Sequence, residues 1–108
     1  MCQKSQYLTL TETENCQINY CKLCKTFSIA YKTCCASFTA AELSQFVNVL
    51  ENLTEADFIY DFMGNKTTIV KNSMAFIGFC LTQDDVAYLI QSIRESETLF
   101  DAFQIIYN

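Results

Sequence analysis

The chain has 108 residues, 51% hydrophobic and 18% charged, which suits one folded domain rather than a disordered segment. It contains no His, Pro or Trp, so Ser-His-Asp and Cys-His catalysis, an HExxH zinc site and a two-His facial triad are excluded. Gly64 and Gly78 are the only glycines, too few for a P-loop or a dinucleotide fingerprint, and a net charge of −5 disfavours nucleic acid as a partner.

Four strands are expected in the first third: Gln6–Thr11, Asn15–Tyr20, Thr26–Tyr31 and Cys34–Phe38. In the third, Phe27, Ile29 and Tyr31 alternate with Thr26, Ser28 and Ala30, the pattern of a half-buried antiparallel strand. Thr39-Ala40-Ala41-Glu42 is a capping box, and Leu43, Phe46, Val47 and Leu50 behind it form one helical stripe. This helix should end near Leu53. Phe58–Phe62 and Lys66–Lys71 flank Gly64-Asn65 and predict a hairpin. Asn72-Ser73 turns the chain into Met74–Leu81, apolar enough for a central strand. Thr82 then caps a second helix, with Asp85 in the capping-box position and Val86, Leu89, Ile90 and Ile93 as its stripe. At Glu95-Ser96-Glu97 the stripe fades. Either Ser96 caps a last helix carrying Leu99, Phe100, Phe103 and Tyr107, or one long bent helix runs through.

A shift of 43 residues lays Phe38-Thr39 on Leu81-Thr82, and Leu43, Phe46, Val47 and Leu50 on Val86, Leu89, Ile90 and Ile93. The pattern divides the single domain, residues 1–108, into pseudo-repeat halves of about 1–53 and 54–108. The expected fold is α+β: an antiparallel sheet built from two strand-strand-helix halves, with two main helices packed on it.

Chemistry concentrates in the cysteines. Cys21-Lys22-Leu23-Cys24 lies between two predicted strands, where a tight turn points both sulfurs one way with backbone amides able to donate to them. This is a zinc-knuckle arrangement. A redox CxxC would open a helix instead, and no helical pattern follows Cys24. No second CxxC exists, so a structural zinc would need Cys2, Cys21 and Cys24 plus Cys16, with Cys35 as the alternative fourth ligand. Cys16 shares a face with Ile18 and Tyr20, and Cys34 with Ala36 and Phe38; both also read as core thiols, as does Cys80. The alternative to a structural zinc is a thiol redox or metal-handling role for Cys21 and Cys24. Asp57, Asp61, Asp84 and Asp85 are thin candidates for acid-base work, since carboxylates at helix starts are mostly capping devices.

Charge is uneven. Residues 1–35 carry Lys4, Lys22, Lys25 and Lys32 against Glu12 and Glu14, whereas residues 36–108 carry three basic and ten acidic residues. Four lysines around the knuckle could touch phosphate, although a solvated face is the plainer reading. The longest run free of strongly polar residues is Met74–Leu81, far short of a membrane span, and the N-terminus lacks a secretory stretch. The expectation is a reducing cytoplasm, thiols rather than disulfides, and no meaning in the sequons at Asn52 and Asn65.

The order of features resembles a family of small uncharacterised cytoplasmic proteins from Bacteroidetes-type bacteria. The features are an N-terminal Cys, the Cys21/Cys24 knuckle, the Thr26–Tyr31 strand, the Phe38-Thr39-Ala40-Ala41-Glu42-Leu43-Ser44-Gln45-Phe46 junction, a Lys-Thr-Thr-Ile-Val strand and a second capped helix. That family carries a His soon after the N-terminal Cys, where Gln3, Lys4 and Gln6 stand here. The resemblance implies no activity. The expected function is a non-enzymatic interaction or regulatory domain. Its partner would be a protein or a second copy, a homodimer covering the opposite sheet face or the helix bearing Phe100 and Phe103.

Overall fold

A computed structural model of the chain describes residues 7–70 and 79–107. Its first half is a meander of four antiparallel strands in sequential order: β1 (Tyr7–Glu12), β2 (Cys16–Cys21), β3 (Thr26–Tyr31) and β4 (Cys34–Phe38). Helix α1 (Ala40–Glu51) follows, then a short 3-10 turn over Glu55–Asp57. The second half has β5 (Ile59–Tyr60), β6 (Lys66–Val70) and β7 (Phe79–Leu81), again antiparallel and sequential, and ends in α2 (Gln83–Tyr107). The class is α+β, as expected, but the strands form two sheets, of four and three strands, rather than one.

The four-stranded sheet follows from its alternation. Cys16 pairs with Tyr31, Ile18 with Ile29 and Tyr20 with Phe27, so one face carries the apolar residues of both strands toward the helices. Ile18 and Ile29 are wholly buried. The opposite face carries Thr9, Gln17, Asn19, Ser28 and Ser37, a polar surface rather than an apolar one awaiting a cover. In β1 the register shifts between Thr9 and Thr11, and Leu10 at that irregularity is buried.

Both capping boxes form. Thr39 Oγ1 accepts from the Glu42 amide at 3.2 Å, and the Thr39 amide donates to Glu42 Oε1 at 2.9 Å. Thr82 Oγ1 likewise accepts from the Asp85 amide, and the Thr82 amide donates to Asp85 Oδ2 at 3.0 Å. The aligned stripes are buried, apart from half-buried Ile90. Thr39→Ala, at an exposed position, should cost about 1 kcal/mol of stability in a urea melt.

Of the two readings left open for the last helical stretch, the continuous one holds, and two further details depart from expectation. Helix α2 is continuous through Ser96, because this serine is wholly buried and shares a 2.6 Å hydrogen bond with Thr11 Oγ1 of β1 instead of capping a new helix. The hairpin forms around Gly64, at φ 84°, but β5 is only two residues long because the Asp61 carboxylate opens the turn early, accepting from the Met63 and Asn65 amides. Within the predicted Met74–Leu81 strand, Phe79–Leu81 form β7, which pairs with β6 at the sheet's edge; residues 74–78 lie outside the described residues.

Strand pairing does not join the two sheets among the described residues; helices and rings do. Phe38 of β4 meets Phe46 of α1 at 4.9 Å between ring centroids, and Phe46 meets Phe79 of β7 at 5.7 Å. Helix α2 packs on β1, β2, β7 and α1. No described helix is long and apolar enough to cross a membrane.

Candidate functional site

The knuckle forms as a turn between β2 and β3. The Lys25 amide donates to the Cys21 carbonyl at 2.8 Å, and Lys25 itself takes a left-handed conformation, φ 58°, that closes the turn. This directs the Cys24 amide at Cys21 Sγ, 3.4 Å away. Backbone N–H groups aimed at a knuckle sulfur are the arrangement that metal-bound cysteines use. Cys21 is buried (2% exposed), whereas Cys24 is exposed.

The other predicted ligands are not gathered there. Cys16 lies at the far end of β2, five residues or ~17 Å of strand from Cys21. The odd spacing also turns it to the opposite, core-facing side. Burial pushes the Cys16 thiol above its ordinary pKa, and a hydrogen bond with Ser92 only partly offsets this, so Cys16 is a core thiol. Cys35 pairs with Ala30, four residues along β3 from the Thr26 that faces Cys21. Cys34 is half-buried against the core and Cys80 is exposed. Cys2 lies outside the described residues. Among the described residues, no group of three or more Cys, Asp or Glu is placed to hold a metal ion.

A groove opens beside the turn. Leu8 of β1, Tyr20 of β2, and Phe100 and Phe103 of α2 make its apolar wall. Lys22 and Lys25 of the knuckle, with Gln104, edge it, and its volume is about 1030 Å³. Tyr20, Phe27 and Phe100 form a three-ring cluster with centroids 4.5–5.0 Å apart. Phe100 and Phe103, expected as part of a dimer surface, are half-buried against their own sheet.

A second polar cluster, missed from sequence, ties the β3–β4 turn to the start of α2. The Tyr31 hydroxyl donates a hydrogen bond to Asp85 Oδ1, and Lys32 Nζ lies 3.0 Å from the same oxygen. Burial pushes the Asp85 carboxyl up, but the hydrogen bonds from Tyr31, Thr82 and Lys32 outweigh it and hold its pKa at about 2. Burial first, then the Asp85 carboxylate, drives the Tyr31 phenol pKa well above its ordinary value. Tyr88 adds a short hydroxyl contact with Thr13. The Thr82-x-x-Asp85 spacing revealed the cap alone; Tyr31 and Lys32 are more than fifty residues away. Asp84, Asp57 and Asp61 do not join the cluster: Asp57 accepts from the Thr54 amide and Asp61 supports the hairpin turn.

Among the described residues, several of the most exposed apolar side chains lie elsewhere, on the β5–β6 hairpin. Phe62 at its tip is 99% exposed, Tyr60 and Met63 are each 73% exposed, and Ile59 and Ile69 are nearly as open.

A family model matches residues 1–98. The chain belongs to this family of unknown function, DUF6686. No curated protein and no solved structure matches this DUF6686 chain. Membership carries no activity to the knuckle, the groove or the Asp85 cluster of the DUF6686 fold, so each is read from its own chemistry.

Proposed function

We propose that this chain is a non-enzymatic interaction module that associates through its β5–β6 hairpin, with a second copy of itself as the partner. The observation that carries this reading is the hairpin's set of exposed apolar residues: Ile59 and Tyr60 on the two-residue edge strand β5, Phe62 and Met63 in its turn, and Ile69 on β6. Isolated exposed hydrophobics need no explanation, but here Ile59 and Ile69 share one face of a hairpin, Tyr60 lies on the other, and Phe62 and Met63 stand at its tip, five in one short segment that association would remove from water. The titratable groups of the Asp85 cluster satisfy one another and cap a helix, which supports a structural role over a catalytic one. Light scattering should show a dimer at high micromolar concentration that dissociates in Phe62→Ser/Met63→Ser. A wild-type monomer with the same mass as the variant would remove self-association.

A second reading concerns the knuckle, and the amide directed at Cys21 Sγ favours it. Here Cys21 and Cys24, with Cys2, supply three thiolates to a structural zinc; Cys16 and Cys35 are placed away from them, so the fourth ligand comes from a water or a second chain. Thiolate ligands would lie about 2.3 Å from the metal and tie the N-terminal residues to the hairpin turn. Elemental analysis of protein purified without chelator should find stoichiometric zinc that is lost in Cys21→Ser, together with stability. Metal-free protein overturns the site. In that case, a fast-reacting thiol pair whose reactivity is indifferent to chelator would point to redox exchange by Cys21 and Cys24.

A further inference from the structure

We propose that the groove between the Cys21–Lys25 turn and the C-terminal part of α2 binds an anionic amphiphile, an acyl chain ending in a carboxylate. Its volume of about 1030 Å³ stands at the top of the range of about 300–1,000 Å³ usual for small-molecule sites. The wall is apolar and aromatic, built on the Tyr20–Phe27–Phe100 cluster, whose rings hold one another in place through contacts of 4.5–5.0 Å. That rigidity matters, because a wall already ordered loses little freedom when a ligand lies against it.

Charge selects the ligand. The chain is acidic, yet among the described residues no carboxylate lines this groove, and the two described cations on its edge, Lys22 and Lys25, come from one four-residue turn. Both lysines are exposed, and neither takes part in any ion pair among the described residues. Positive charge is therefore concentrated on one side of an otherwise apolar groove. A single anionic head on an apolar tail matches that distribution. An acidic peptide, with several charges spread along its length, would meet Phe100, Phe103 and Leu8 with charges that nothing there satisfies. Long-range attraction toward the two lysines is screened by salt, so affinity should fall as ionic strength rises.

The test uses dodecanoate below its micelle concentration, with dodecanol as the uncharged control, followed by amide chemical shifts of the intact chain. Dodecanoate should move the amides of Tyr20, Lys22, Lys25 and Phe100 and saturate. Lys22→Gln/Lys25→Asn, in which asparagine suits the left-handed backbone at 25, should weaken dodecanoate about fivefold and leave dodecanol unchanged. Equal binding of acid and alcohol, or no effect of the double variant, overturns the proposal, as do shifts confined to another surface. If a short Leu/Glu amphipathic peptide moves these amides in a lysine-dependent way while dodecanoate does not, the groove is a protein-docking surface and the proposal fails.

Discussion

Replacing Phe46 by alanine should lower stability by about 4 kcal/mol, the middle of the range for a buried aromatic in a core. Phe46 is 4% exposed and touches Phe38 of the four-stranded sheet and Phe79 of the three-stranded one. Truncation therefore removes the transfer energy of one large side chain and two ring contacts, each worth about 0.5–1.5 kcal/mol beyond area. The cavity left behind opens where the two sheets meet, and collapse there would require two sheets to shift. Phe46→Leu keeps most of the volume and should cost about 1.5 kcal/mol or less. Urea melts read the difference as a lower midpoint at unchanged slope. A Phe46→Ala loss below about 1 kcal/mol would mean the ring does not join the sheets.

The second large effect belongs to Asp85. Asp85→Ala should cost about 3 kcal/mol, because it leaves the buried Tyr31 hydroxyl without its acceptor and removes half of the α2 capping box. Lys32 is half-exposed and regains water, so its lost ion pair adds little. The same carboxylate gives an acid limb to stability. Its folded pKa of about 2 lies below the unfolded value of 3.8, so the stabilisation is complete above about pH 4 and is lost as pH falls toward 2. The linked amount is about 2 kcal/mol, and Asp85→Asn should flatten that limb. Tyr31 works in the other direction: its raised pKa makes stability decline as pH climbs above its ordinary value near 10. An acid limb identical in wild type and Asp85→Asn would show that Asp85 is not the group responsible.

Local pattern carried much of this fold. Strands β3 and β4 have the predicted bounds, and the capping boxes at Thr39 and Thr82 locate both helix starts, since alternation and caps are written within a few residues. What pairs at long range was not legible. Whether Ser96 caps a last helix or sits inside one long helix stayed open because its partner, Thr11, is 85 residues away. The division into two sheets depends on which strands pair, which no single strand announces. At the site, the knuckle turn was legible from Cys21-x-x-Cys24 between two strands, and the five-residue spacing already set Cys16 on the other face. The groove was not, because Leu8 and Tyr20 meet Phe100 only after α2 folds back over the sheet.

The return of α2 across the first sheet also sets an order of events during synthesis. The β1–β4 meander is complete by Phe38, but Thr11 waits for Ser96, Tyr31 for Asp85, and Tyr20 and Phe27 for Phe100. Until that helix has emerged from the ribosome, the part of the apolar face that α1 does not cover stays wet. These closures span 54 to 85 residues in their hydrogen bonds alone, so the nascent chain spends most of its translation as a sticky half-sheet. Slowed elongation through the α2 codons should therefore prolong dependence on chaperones that shield apolar strands.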